Sequence, residues 1–117
     1  MAYRSFEELE IWKRACALAV RIYNMLKGCR DYAFKDQMTR AALSIASNIS
    51  EGAERDSKAE FIRFLNIAKG SAAELRTQLY IAGQAGIIRA DESEEFIREG
   101  KELSSMMHGL IKAIRKS

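Results

Sequence analysis

The sequence predicts an all-α protein, an antiparallel up-down-up-down four-helix bundle, on three observations. Apolar residues recur every three or four positions through four long segments. No proline interrupts them, so no backbone N–H is missing from any helical ladder. Nowhere does the chain alternate apolar and polar residues between turns, as a half-buried strand would. Short connections between long helices force antiparallel neighbours. The 117 residues suffice for one domain, 1–117, around one core.

Each element has its own start, stripe and stop. Ser5 with Glu8 forms a capping box for a first helix over about 6–27, with the stripe Leu9, Trp12, Cys16, Ala19, Tyr23 and Leu26 and Gly28 just past its end. Asp31 can cap a second helix over about 32–55 carrying Phe34, Met38, Ala41, Ala42, Ile45 and Ile49. Ser57 with Glu60 opens a third over about 58–85. Its stripe is Phe61, Phe64, Leu65, Ala68, Ala72, Leu75, Leu79 and Ala82, and Gly86 ends it. Asp91 with Glu94 repeats the start signal in acidic form for a fourth helix over about 92–115, with Phe96, Leu103, Met107, Leu110 and Ile114. Such helices are roughly 33–45 Å long.

Composition narrows the function. Hydrophobic content of 48% beside 30% charged residues suits a globular protein rather than a disordered one. No apolar run reaches the roughly 18 residues that span a bilayer, and "MAYRSFEELEIW" lacks a signal-peptide core, so no membrane association and a cytoplasmic setting are expected. In that setting Asn48-Ile49-Ser50 is an accidental match to the glycosylation sequon. Cys16 and Cys29 fit no metal spacing. Cys16 reads as a small apolar residue and Cys29 as a free thiol. A net charge of +3 is compatible with a nucleic-acid partner without being polybasic.

The stretch "SIASNISEGAERDSKAEF" interrupts the apolar pattern with Ser44, Asn48 and Glu51, a single stripe at i, i+4 and i+7. If the chain turns near Asp56, residue i of the second helix lies opposite about 112 − i of the third. Arg40 then lies within a helical turn of Glu74, Ser44 within a turn of Ser71, and Asn48 opposite Phe64. Gln37, Arg40, Ser44, Asn48 and Glu51 would meet Ser71, Glu74 and Gln78 in a polar seam, and Gly70 suggests close helix approach. A catalytic reading, with Glu51 and Glu74 as acid and base or as metal ligands, lacks parts. Di-metal bundles use two Glu-x-x-His motifs, and His108 is the one histidine, with Ser105 three residues before it. No cofactor and no enzyme activity are expected. The structural reading, a hydrogen-bonded seam that fixes helix register, is favoured. On it, loss of Arg40 or Glu74 from a buried pair costs about 3 kcal/mol.

The segments "FEELEIWKRACALAVRIY", "QMTRAALSIASNISEGAER" and "SKAEFIRFLNIAKGSAAELRTQL" resemble the four-helix-bundle proteins encoded by intervening sequences in bacterial 23S rRNA genes. The likeness runs from about Phe6 to Ile114. The matched positions are Gln37, Arg40, Ser44, Asn48, Glu51, Gly52, Arg55, Phe61, Ala68, Gly70, Ser71, Glu74 and Gln78, with Ser50 where alanine is common. The resemblance implies the bundle fold. It also implies, through similarity to accessory variability proteins of diversity-generating retroelements, a homo-oligomer, a pentamer in particular, and an RNA or DNA partner.

The residues themselves offer one surface for such a partner. Arg98, Lys101, Ser105, His108, Lys112 and Arg115 are spaced 3, 4, 3, 4 and 3, along one face of the fourth helix. They could contact several phosphates with little sequence preference. Glu95, Glu99 and Glu102 run beside them and would cancel part of their field, so the competing reading is a solvated face with i, i+4 pairs. Lys13, Arg14, Arg21, Arg63 and Arg76 could add to the patch. Trp12, Tyr23, Phe61, Phe64 and Phe96 read as core. Tyr3 and Tyr32 are undetermined, and Tyr80, one position off the stripe, suits a subunit contact. Two functions stand: a nucleic-acid-binding oligomer, and a protein-interaction scaffold without nucleic acid.

Overall fold

The computed structural model describes residues 5–117, so Tyr3 lies outside the described residues. A 3₁₀ turn, Phe6–Glu8, leads into four helices: α1 (Glu10–Met25), α2 (Tyr32–Glu54), α3 (Lys58–Ala85) and α4 (Ala90–Lys116). No strand occurs among the described residues. α2 packs extensively on α3 and α3 on α4. α1 closes the ring against α2 and, more thinly, against α4, in an all-α antiparallel bundle of 45 × 19 × 19 Å.

The first helix begins later than its capping box suggests. Ser5 Oγ accepts from Glu7 N at 3.1 Å, so the serine caps the 3₁₀ turn and not α1. Extended backbone at Leu9 then separates the two elements. The Phe6 ring meets Trp12 edge to face at 5.2 Å, folding the turn back over the first helical turn. The buried stripe of α1 is also one residue earlier than expected: Ile11, Ala15, Leu18 and Ile22, with Leu26 beyond the helix end. Leu9, Trp12, Cys16 and Ala19 are half-buried beside it, and Tyr23 is 53% exposed rather than core. The helix carries two adjacent apolar stripes, and the one turned into the bundle between α2 and α4 is the one that excludes water.

The other helices start by side-chain chemistry. Asp31 Oδ1 accepts from Phe34 N at 3.1 Å at the head of α2, and Ser57 Oγ accepts from Glu60 N at 3.2 Å at the head of α3. Gly86, at φ 76°, takes the left-handed conformation that ends α3. α4 starts two residues ahead of the expected boundary. The reach-back comes from Glu92, whose Oε1 accepts from Arg89 N at 3.3 Å, and not from an Asp91–Glu94 pair. Asp91 instead pairs with Arg89, whose guanidinium holds its carboxyl below the usual carboxylate range.

Leu18, Ile22, Met38, Ile45, Ile49, Leu65, Leu75, Leu79, Leu103 and Met107 are fully enclosed. Each such side chain contributes about 1.5–3 kcal/mol of transfer free energy. Ala41, Ala42, Ala68 and Ala72 thin the α2–α3 interface, and Gly52 completes it: a Cβ there would stand 2.6 Å from Phe64 Cβ. Gly70, by contrast, has nothing within 4 Å of a built Cβ and is exposed, so the close approach expected at Gly70 occurs at Gly52.

Candidate nucleic-acid interface

The periodicity of α4 puts Arg98, Lys101, Ser105, His108, Lys112 and Arg115 on its outer face, and all six are exposed. None of the five basic groups has an ion-pair or hydrogen-bond partner among the described residues. The carboxylates beside them do. Glu99 receives Arg14 through two hydrogen bonds, at 2.6 and 3.3 Å. Glu102 lies 3.6 Å from the same guanidinium, and Glu95 pairs with Arg21. The Arg14 pKa is raised, chiefly by its hydrogen bond to Glu99. These acids therefore turn toward α1, where two arginines offset two of their three charges, and no i, i+4 ion pair forms along α4 among the described residues. Arg98, at the head of the stripe, lines one depression with Glu95, Glu99 and Glu102 and another with Glu94, so carboxylates remain near that end.

Three of the five additional basic positions are engaged elsewhere. Arg14 and Arg21 serve the α1–α4 pairs. Arg63 bonds Glu60 and lies 4.6 Å over the Phe64 ring, which Arg55 covers at 4.9 Å. Lys13 is exposed. Arg76 is the informative one. Its stem crosses α4 at Gly100, and its Nη1 donates to Ser104 Oγ at 3.0 Å. A neutral partner leaves its charge in place, at the α3 edge of the α4 stripe.

The polar seam divides into a bonded part and an open part. Ser44 Oγ and Ser71 Oγ are 2.8 Å apart across the interface, as the hairpin register suggests. Asn48 does not reach across to Phe64. Its Nδ2 donates back along α2 to Ser44 O at 2.8 Å and Ser44 Oγ at 2.9 Å. Gln37, Arg40, Glu51 and Glu74 are exposed, and Arg40 and Glu74 form no ion pair. Gln37, Arg40, Ala41, Ser44 and Glu74 instead line an open depression of about 550 Å³. The expected buried pair is absent: the register brings the two residues to one depression, but each side chain gains more from water than from dehydrating the other. Gln78 is 8% exposed, and its Oε1 is buried without a hydrogen-bond partner. Among the described residues no three His, Cys, Asp or Glu side chains converge as metal ligands would. No helix of the described residues is long and apolar enough to cross a membrane.

Residues 7–109 match the profile of the family described as "23S rRNA-intervening sequence protein". The chain belongs to this family. A solved structure of a protein with unknown function from the S23 ribosomal protein family of Bacteroides thetaiotaomicron VPI-5482 is similar, at 27% identity and a TM-score of 0.82, over 87% of this chain and 98% of that one. Comparison with curated proteins gives no match.

Within this member of the family, the Ser-Ile…Glu-Gly signature specifies a helix hairpin. Ser44 and Asn48 make the hydrogen bonds, Gly52 admits Phe64, and Glu51 faces solvent. Sequence reasoning named Arg76 as a possible addition to the patch but did not place Tyr80 beside the α4 stripe. They are four apart on α3, a spacing that signals a shared face, but which helix that face meets follows only from the assembled bundle.

Proposed function

We propose that the protein is a non-enzymatic, cytoplasmic homo-oligomer that binds the phosphate backbone of RNA or DNA through the outer face of α4. One observation carries the reading: Arg98, Lys101, His108, Lys112 and Arg115 are exposed and unpaired, whereas the flanking acids Glu95, Glu99 and Glu102 pair with Arg14 and Arg21 of α1, which offset two of their three charges. Side chains repeating about every 5 Å along a straight helix suit a chain of phosphates better than a compact ligand. Self-association is supported by an apolar groove of about 340 Å³ on α1 and α2, lined by Ala19, Val20, Tyr23, Thr39 and Leu43, with Val20, Tyr23 and Leu43 each more than half exposed. Five copies are the expectation from the resemblance to retroelement accessory proteins. A ring would multiply the net charge of +3.

The same groove favours the second reading, a protein-interaction scaffold in which the α4 stripe is solvated. Titration of nuclease-treated protein with a structured RNA at two salt concentrations separates the two. Affinity should fall steeply with salt, and Lys112→Glu with Arg115→Glu should weaken it and flatten the salt dependence by about one phosphate per residue, without unfolding the bundle. Absence of binding at low salt, or binding indifferent to salt, selects the scaffold.

A further inference from the structure

We propose that the depression around Tyr80, between α3 and α4, binds an unpaired nucleobase of a single-stranded segment, whose phosphates run onto Arg98 and Lys101. The proposal rests on the phosphate-binding reading of α4 and adds to it a site for a base. Tyr80 is 47% exposed. It lines a depression of about 290 Å³ with Glu94, Ile97, Arg98 and Lys101, at the head of the α4 stripe.

The chemistry of this lining is that of a nucleotide. The phenol ring offers a flat face for stacking, and Ile97, 7% exposed, supplies an apolar wall. Arg98 and Lys101 meet negative charge, and neither has a partner among the described residues. Arg76, one turn before Tyr80 on α3 and anchored on Ser104, adds a third cation farther along α4, outside the depression. Glu94 precedes Arg98 by one turn of α4. Its carboxylate repels phosphate and accepts from an N–H on the base edge, such as the N3–H of uracil, so it sets the base toward the head of the stripe and the backbone toward Lys101. A base inside a duplex has both faces stacked and its edge paired, so it cannot use this ring. A single strand can.

The test compares a labelled single-stranded oligouridine of roughly ten nucleotides with a duplex of the same length, at low salt, by fluorescence anisotropy. Tyr80→Ala should weaken single-strand binding about tenfold, and Tyr80→Phe should keep it, because stacking needs the ring and not the hydroxyl. Duplex affinity and the mass in solution should be unchanged in both variants. Unaltered single-strand affinity in Tyr80→Ala overturns the proposal, as does an equal loss on both probes. A change in mass places Tyr80 in a subunit contact and overturns it too. If neither probe binds the unmodified protein, the phosphate reading fails along with this one. If both probes bind and respond to Lys112→Glu with Arg115→Glu but not to Tyr80→Ala, only the base site fails.

Discussion

Between α2 and α3 the helices nearly touch. A Cβ on Gly52 would overlap Phe64, alanines face one another along the interface, and the polar link is a short one, Ser44 to Ser71. Between α1 and α4 the helices are bridged by long charged side chains, Arg14 to Glu99 and Glu102, and Arg21 to Glu95. The first interface joins neighbours along the chain, whose register a tight turn already limits. The second closes the bundle between elements far apart in sequence, where flexible side chains tolerate a looser fit. Closing it this way has a consequence for α4: three of its carboxylates are drawn to one side, and its outer cations are left without partners.

The largest effect should come from Gly52. Replacement by leucine forces α2 and α3 apart at their closest point and should cost about 3 kcal/mol, a fall in melting temperature easily seen by circular dichroism. Gly70→Ala in the same hairpin, with open space around it, should be neutral or stabilise by up to about 1 kcal/mol. If both glycines tolerate substitution equally, the α2–α3 interface is no tighter than the α1–α4 one.

A smaller effect tests the other seam. Arg14→Met keeps the stem but removes the fork that holds Glu99, at side-chain exposures of 30% and 24%. The loss should be about 1 kcal/mol, and smaller at high salt, because the pair is partly solvated. The same variant releases Glu99 and Glu102 beside the α4 stripe, so nucleic-acid affinity should drop although Arg14 itself contacts no phosphate. Unfolding in urea at two salt concentrations, followed by RNA titration, reads both effects. Lost stability with unchanged affinity would uncouple the seam from the interface.

The sequence made these two regions unequally legible. In α3, Phe61, Phe64, Leu65, Ala68, Ala72, Leu75, Leu79 and Ala82 form one narrow stripe, and all eight are buried. In α1 two stripes lie side by side, and Trp12 and Tyr23 made the outer one look the more hydrophobic. Periodicity gives the face of a helix only to within its apolar arc, and which half of the arc is enclosed depends on partners not yet placed. The hairpin register found Ser44 opposite Ser71 because two short hydroxyls must be close to bond at all. It could not settle Arg40 and Glu74, since long side chains at the right backbone positions still choose between each other and water. The pairing of Arg14 with Glu99, 85 residues apart, has no local signature. With it was hidden the fact that the α4 stripe keeps its charge.

The smallest expected effect is the most discriminating. Glu74→Ala should change stability by no more than about 0.5 kcal/mol, against about 3 kcal/mol for a member of a buried pair. Glu74 is exposed and forms no ion pair with Arg40, so its removal takes away a hydrated charge and strands nothing in the interior. Ser71→Ala, one turn away on α3, is the control: it breaks the bond to Ser44 and should cost about 1 kcal/mol. Both variants belong in the same urea series, with mass in solution measured beside them. If Glu74→Ala unfolds as Ser71→Ala does, the depression lined by Gln37, Arg40 and Glu74 closes around the pair and the α2–α3 seam is polar along its whole length. If stability holds but the mass falls, Glu74 reaches a second copy, and the open half of the seam is an assembly contact. Unchanged stability and unchanged mass leave α2–α3 closed by glycine, alanine and serine, with its charges outside in water.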